Sequence, residues 1–166
     1  MSTFLKYVRL ALTDGWGGWR SKYPPFVANR QRAVDASAVT GMGQIEYRLA
    51  RDAAVRNFRR GRLSKLDVCD AQTELLRVAK NLGRPTETPC PICEDQLLVH
   101  VSFAFGPRMP PGGRVVASQA ELRTLAASSD DMTFYVVEVC TVCGWNHLLR
   151  NFSAQTARKR PTAGRR

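Results

Sequence analysis

The stretch Phe134-Tyr-Val-Val-Glu-Val-Cys-Thr-Val-Cys-Gly-Trp-Asn-His-Leu148 joins a β-rich run to a pair of cysteines and then to a second alternating run. An earlier pair, Cys90-Pro-Ile-Cys93, has the same spacing. Two residues between cysteines allow both sulfurs of a tight turn to point at one metal ion, and four thiolates suit tetrahedral zinc. The sequence therefore predicts one structural Zn²⁺ per chain, bound by Cys90, Cys93, Cys140 and Cys143.

Other uses of paired cysteines fit this pattern less well. A redox pair needs one Cys-x-x-Cys motif at a helix N-terminus beside a βαβ unit, whereas two motifs lie here next to strands. An iron–sulfur cluster and two disulfides stay as alternatives, and four thiolates leave no open position for a catalytic zinc. His147 is a conceivable substitute ligand, but its strand position, like that of His100, favours a packed imidazole. Cys69 stands alone and is interpreted as a small buried hydrophobe.

Alternating apolar and polar residues predict a small antiparallel sheet in the second half of the chain. Strands are expected at 97–105, 114–117 and 132–139, and a strand at 145–152 is expected to pair with the third of these as a hairpin. Ser118-Gln-Ala-Glu121 is a capping pattern that predicts one short inserted helix. The 46 residues between Cys93 and Cys140 exceed the usual spacing of compact four-cysteine sites. This strand, helix and returning strand would bring the two pairs together.

Two amphipathic helices are predicted before the first cysteine pair. The first is expected from about Asp35 to Arg60, and the second follows the capping pattern Ser64-Lys-Leu-Asp67. A DNA-binding helix-turn-helix is the alternative to a packing hairpin, but Arg77 and Lys80 alone are few basic side chains for a major-groove reader. The apolar stripe of the first helix comprises Ile45, Leu49, Ala50, Ala53, Ala54 and Phe58.

The predicted fold class is α+β, with an N-terminal helical hairpin (42–85) followed by a zinc-ribbon-like antiparallel β domain with one short inserted helix (86–152). Residues 1–41 are expected to be a flexible or poorly packed leader, with a basic aromatic arm that stacks on bases as the alternative. Residues 153–166 lack an apolar pattern and are expected to be a disordered basic tail. No apolar run is long enough to span a bilayer and no signal-peptide pattern is present, so a cytoplasmic protein is expected.

The net charge of +11 is distributed unevenly along the chain. The segment 86–152 carries four basic and seven acidic residues, whereas 42–85 carries ten basic and five acidic residues. Contact with phosphate or an acidic partner is therefore expected from the first helix and the tail, and not from the zinc site. Trp145 is a candidate for partner contact, with packing in the core as the favoured alternative. The candidate basic contacts are Arg48, Arg51, Arg56, Arg59, Arg60, Arg62, Arg158, Lys159 and Arg160.

Four stretches resemble a family of small actinobacterial proteins with a domain of unknown function. They are Asp67-Val-Cys-Asp-Ala71, Gly83-Arg-Pro-Thr-Glu-Thr-Pro-Cys-Pro-Ile-Cys93, Leu98-Val-His-Val101 and the stretch 134–148. The resemblance covers about residues 42–153, without the leader and the basic tail. It implies domain limits and a bacterial cytoplasmic origin, but it does not name an activity. The cysteine pairs also resemble zinc ribbons of the transcription and translation machinery, a likeness that does not fix function.

The sequence has only two histidines, and it contains neither a glycine-rich phosphate loop nor a His/Glu metalloenzyme pattern. We therefore expect a protein that is not an enzyme. The leading hypothesis is a structural-zinc-binding accessory or regulatory protein of a nucleic-acid machine, RNA polymerase or the ribosome, with DNA or RNA backbone contact. The rival hypothesis is a protein-binding adaptor whose basic segments keep it soluble or meet anionic lipid. A thiol redox protein is the third class.

Overall fold

Valine and aromatic side chains favour extended backbone, and they are frequent at 97–105 and 132–139 in this computed structural model, which describes residues 43–129 and 131–154. The strands in chain order are β1 (Gln44–Glu46), β2 (Arg84–Pro89), β3 (Leu97–Phe105), β4 (Arg114–Val115), β5 (Met132–Val139) and β6 (Asn146–Ala154). Together they form one antiparallel sheet in the order β1-β6-β5-β3-β2, and β4 pairs with the C-terminal half of β3.

Four helices connect or flank these strands within the described residues. They are α1 (Arg48–Arg59), α2 (Lys65–Val68), α3 (Thr73–Leu82) and α4 (Gln119–Ser128). Ser64 and Asp67 form a reciprocal capping box at α2, and the Ser118 hydroxyl accepts from the Glu121 amide at the start of α4. These caps satisfy amide groups that the first turn of a helix leaves without a partner.

One face of the sheet packs against α3. Leu75, Val78 and Ala79 of this helix are buried against Val101, Phe103, Val137 and Val139 of β3 and β5. These strand residues alternate with side chains on the opposite face, as the two-residue period of a strand requires. The α3 face is therefore an ordinary apolar core.

The opposite face carries one helix at each end. At one end, Leu122 of α4 is buried against Phe134 and Phe152, whose stacked rings lie 5.2 Å apart. At the other end, Val55 of α1 is buried together with Trp145 and the cysteine pairs. The sheet thus holds α1 beside the cysteines and α4 at a distance from them.

The structure confirms the α+β class and much of the second half of the chain. The strand at 97–105 is β3, the strand at 114–117 is observed as Arg114–Val115, and the predicted hairpin is the pairing of β5 with β6. The inserted helix is α4, and it begins after Ser118 as the capping pattern predicts.

The predicted helical hairpin is not confirmed, because α1 and α3 lie on opposite faces of the sheet. The first helix begins at Arg48, and the preceding residues form β1 against β6, with Ile45 opposite Asn151. The apolar stripe is also rotated from the prediction. Leu49 is 84 % exposed, whereas Val55, which the stripe omitted, is buried. Ile45 belongs to a strand, so it could not set the helical period.

The predicted boundary between residues 85 and 86 lies inside β2, which pairs with β3. Residues 153 and 154, assigned to the tail, belong to β6. The leader 1–41 and residues 155–166 of the tail lie outside the described residues. Within the described ranges, no helix is both long and apolar enough to cross a bilayer.

Candidate metal centre

The four predicted zinc ligands converge at one end of the sheet. Their Sγ atoms all lie within 4.8 Å of one another, with Cys90 and Cys143 3.6 Å apart and Cys93 and Cys140 3.7 Å apart. Tetrahedral zinc with Zn–S bonds of about 2.3 Å requires sulfurs about 3.8 Å apart. The four cysteines therefore fit a single tetrahedral ion, and they could hold a metal.

Strand pairing explains how distant cysteines meet. The first pair lies in the turn between β2 and β3, and the second lies in the turn between β5 and β6. Because β3 and β5 are neighbours, with Val99 opposite Val139, the turn before β3 and the turn after β5 lie side by side at the same end of the sheet. The long segment between the two cysteine pairs forms β3, β4, α4 and β5, as the sequence predicted.

The two turns have the same backbone design. In the first, the Cys90 amide donates to Gln96 O at 2.8 Å and the Glu94 amide donates to Cys90 O at 3.1 Å. In the second, the Cys140 amide donates to Trp145 O at 2.8 Å and the Gly144 amide donates to Cys140 O at 3.1 Å. The residue after each pair has a positive φ, 60° at Glu94 and 83° at Gly144.

Glycine at position 144 is favoured for a second reason besides its φ. A Cβ at this position would lie 3.3 Å from the carbonyl oxygen of Cys69. The exposed Glu94 has the same sign of φ without glycine. The tight approach at Gly144 thus connects the second turn to the end of α2, and the Ala71 amide strengthens it by donating to Gly144 O at 3.0 Å.

Backbone amides also point at the sulfurs. The Cys143 amide donates to Cys140 Sγ at 3.5 Å, and the Trp145 amide donates to Cys143 Sγ at 3.4 Å. In the first turn the Ile92 amide bonds to Cys90 and the Asp95 amide bonds to Cys93. Amide donors of this kind favour thiolates over thiols.

Burial works against ionisation of these thiols. It raises the pKa of Cys90 far above that of a free cysteine, and it raises the pKa of Cys143 to about 12. Burial opposes ionisation of Cys93 as well, but the Asp95 amide and neighbouring thiols outweigh it and lower the pKa of Cys93. A cation at the centre would offset the cost of gathering four thiolates.

The fifth cysteine lies beside this centre. Cys69 is half-buried, hydrogen-bonds to Cys143 and packs in the same cluster as the other four cysteines. It does not belong to the group of four sulfurs that meet within 4.8 Å. The sequence interpretation as an isolated buried hydrophobe missed this neighbourhood, because nothing in the spacing of Cys69 reveals the contact of α2 with Gly144.

Neither histidine joins the metal group within the described residues. His147 donates from Nδ1 to Leu148 O at 2.7 Å, and its ring stacks on Trp145 at 6.0 Å. Burial lowers the pKa of both histidines, and nearby Arg150 and Arg51 help to bring that of His100 to about 4. Both imidazoles are packed side chains, as their strand positions suggested.

A buried carboxylate that the sequence reasoning missed lies next to the centre. Glu138 is 3 % exposed, and its Oε1 accepts from Trp145 Nε1 at 2.8 Å and from Arg51 Nε at 2.6 Å. A signal was present in the sequence. Glu138 lies two residues before Cys140, which directly follows β5, so the two-residue period places both side chains on one face.

The candidate basic contacts divide into three groups. Arg51 is half-buried and held by Glu138, so it points into the protein. The tail residues Arg158, Lys159 and Arg160 lie outside the described residues. The remaining candidates are exposed, and they are Arg48, Arg56, Arg59, Arg60 and Arg62.

Trp145 does not offer the exposed ring that partner contact requires. It is 1 % exposed, covers the cysteine cluster and donates to Glu138. Packing is therefore the role that the structure gives this side chain.

A family model of unknown function, DUF5318, matches residues 39–166. The match includes the basic tail, which the sequence resemblance left out. Uncharacterized proteins of Mycobacterium tuberculosis (Rv0049) and Mycobacterium bovis (Mb0050) are 36 % identical to this chain over 121 residues. That alignment covers 72 % of this chain and 88 % of each relative. No solved structure matches the chain.

Proposed function

The chain belongs to the DUF5318 family of unknown function, and we propose that it is a non-enzymatic cytoplasmic protein in which structural zinc stabilises a phosphate-binding surface for a nucleic-acid machine. RNA polymerase and the ribosome are the proposed hosts. In this proposal the cysteines serve folding, and arginines on α1 meet the phosphate backbone.

Zinc is the metal that the donor set favours. Four sulfur donors at tetrahedral spacing select Zn²⁺ or iron over hard cations, and zinc needs no redox partner. Four protein ligands leave no position for a substrate or an activated water. A metal ion with all four positions filled by protein supports a structural role for the zinc and a protein without enzymatic activity.

One observation carries the nucleic-acid part, namely the exposed arginines at the end of α1. We define the arginine surface as Arg56, Arg59, Arg60 and Arg62. All four are exposed, and no carboxylate of the described residues forms a salt bridge with them. Their helix is anchored beside the cysteines, because Phe58 and Leu63 pack in the same cluster.

This surface suits phosphate better than bases. Guanidinium groups bind phosphate oxygens with two parallel hydrogen bonds. Trp145, which covers the metal centre, is buried, so its ring is not available for base stacking. Binding through backbone phosphates predicts weak sequence preference and a steep dependence on salt.

The test is fluorescence anisotropy with labelled duplex DNA and duplex RNA across a salt series. Substituting all four residues of the arginine surface by Gln should weaken binding and reduce the logarithmic salt slope by about 3 to 4 on DNA. The matched control substitutes four other exposed basic residues, and these are Arg77, Lys80, Arg108 and Arg123.

A control variant that loses as much affinity as the arginine variant would contradict the proposed surface. A flat salt dependence of the wild-type protein, or no binding to either duplex, would remove nucleic acid from the proposal.

A protein-binding adaptor is the second candidate, and exposed apolar side chains favour it. Leu66 on α2 is 85 % exposed, and Val142 in the second cysteine turn is 67 % exposed. An apolar side chain loses its unfavourable contact with water when a partner covers it. A partner that survives nuclease treatment and is lost from Leu66→Ser and Val142→Ser variants would favour this function.

A further inference from the structure

A continuous series of hydrogen bonds connects the metal turn to α1. The Trp145 amide donates to Cys143 Sγ at 3.4 Å, and its indole Nε1 donates to Glu138 Oε1 at 2.8 Å. The same Oε1 accepts from Arg51 Nε at 2.6 Å. Arg51 lies in the first turn of α1, the helix that ends at the arginine surface. Each bond is short enough to be a true contact.

The connection is buried, so it is sensitive to geometry. Trp145 is 1 % exposed and Glu138 is 3 % exposed. A buried carboxylate that loses one donor retains its full desolvation cost. A shift of the Trp145 backbone would therefore alter the position of Glu138 and, through it, the attachment of Arg51.

The first bond of the series depends on where the cysteine sulfurs are held. A metal ion bound by all four sulfurs would fix the Cys143 Sγ that accepts from the Trp145 amide at 3.4 Å. Without the ion, the sulfurs of the two pairs are joined by weak contacts between thiols. The orientation of Trp145 is therefore fixed more firmly in the metal-loaded protein.

We propose that metal occupancy controls the docking of α1 through the contacts of Trp145, Glu138 and Arg51, so that the arginine surface binds phosphate only in the metal-loaded protein. Glu138 is the positioning residue of this device. The proposal rests on the proposed function for its ligand, and its structural half stands without that function.

The rest of the fold should survive metal removal. The core beneath α3 and the core beneath α4 contain no cysteine and no residue of α1. The third cluster contains all five cysteines together with Val55, Ala54 and Phe58 of α1. Loss of the metal therefore acts on α1 and its neighbours, while β3, β5, α3 and α4 keep their packing.

The experiment is hydrogen exchange on the full chain, with and without a zinc chelator, followed by anisotropy with duplex DNA. In the wild-type protein, chelation should speed amide exchange in α1 about tenfold or more, the effect of losing a hydrogen bond to a charged group. Exchange in α3 and α4 should change much less, which shows that the chain stays folded.

Glu138→Gln removes the charge of Glu138 at nearly constant volume. It therefore shows whether Glu138 couples the metal site to α1 or only contributes to the stability of the fold. It should speed α1 exchange in the metal-loaded protein and add little after chelation. Glu121→Gln is the matched control, since Glu121 forms a surface salt bridge with Arg114 at 2.8 Å. Equal acceleration by Glu138→Gln in both metal states, or no effect of chelation on α1, would overturn the proposal.

The DNA arm distinguishes the two proposals. If loaded wild-type protein binds DNA and both chelation and Glu138→Gln leave that affinity unchanged, the coupling is wrong and the function stands. If α1 exchange follows metal and Glu138 while no DNA binds, the function is wrong and the structural coupling stands.

Discussion

The two ends of one sheet face hold their helices by different means. At the α4 end, Leu122, Leu125 and Ala126 pack on Phe134 and Phe152 through apolar contacts. At the α1 end, Val55 shares its cluster with Trp145 and five cysteines, and a buried ion pair joins α1 to Glu138. Apolar packing is insensitive to metal and nearly insensitive to pH, whereas thiolates and buried charges depend on both.

The largest expected effect comes from removing a buried cysteine of the α1 end. Cys140→Ser should abolish metal binding and lower the free energy of unfolding by several kcal/mol, since structural zinc sites contribute on the order of 10 kcal/mol in small peptides. Metal-to-protein ratio and thermal unfolding measure the two effects.

Cys69→Ser is the matched control for this variant, because Cys69 lies beside the four-sulfur group without belonging to it. It should leave the metal content unchanged. Loss of metal from Cys69→Ser, together with retention by Cys140→Ser, would show that the ligand set is wrong.

A smaller effect is expected at the α4 end. Leu122 is fully buried, so Leu122→Ala should lower the free energy of unfolding by about 2–5 kcal/mol through lost burial and a cavity. The metal content should not change. Chemical denaturation with zinc analysis tests both, and Leu49→Ala, at an 84 % exposed leucine, is the control with little expected effect. Metal loss in Leu122→Ala would show that the two ends are not independent.

The smallest effect is the pH dependence from His100. Its pKa is about 4 in the folded protein and 6.5 in the reference state, because burial and then Arg150 and Arg51 disfavour its charged form. The unfolded chain therefore binds the proton first, and stability falls as pH drops from above 6.5 towards 4. Lowering the pH from 7.5 to 5.5 should therefore reduce the free energy of unfolding by about 1 kcal/mol.

His100→Gln should remove that part of the pH dependence. Denaturation midpoints of both proteins at the two pH values provide the measurement. An identical loss in the variant would assign the pH dependence to other groups.

Sequence patterns were sufficient to predict which cysteines come together and where the alternating strands lie. The Cys-x-x-Cys spacing fixes local turns, and the alternation in 97–105 and 132–139 indicates two strands that the structure pairs, which brings their turns together. The Ser118 cap is also a local signal, so α4 could be predicted with its first residue.

Features that depend on tertiary contacts could not be predicted in the same way. β1 has three exposed residues and β2 contains Pro85 and Pro89, so neither strand shows alternation. Both are edge strands, where proline and polar residues are tolerated. The placement of α1 and α3 on opposite faces depends on which sheet surface each helix meets. The contact of Cys69 with the centre depends on the close approach at Gly144.

The most direct test of the central claim is native mass spectrometry of the full chain, purified without added metal, combined with alkylation of accessible thiols. The expected result is a mass increment of one zinc ion per chain, with Cys90, Cys93, Cys140 and Cys143 protected from alkylation until a chelator is added. A metal-free chain with four freely reactive cysteines, or with disulfides among them, would contradict it.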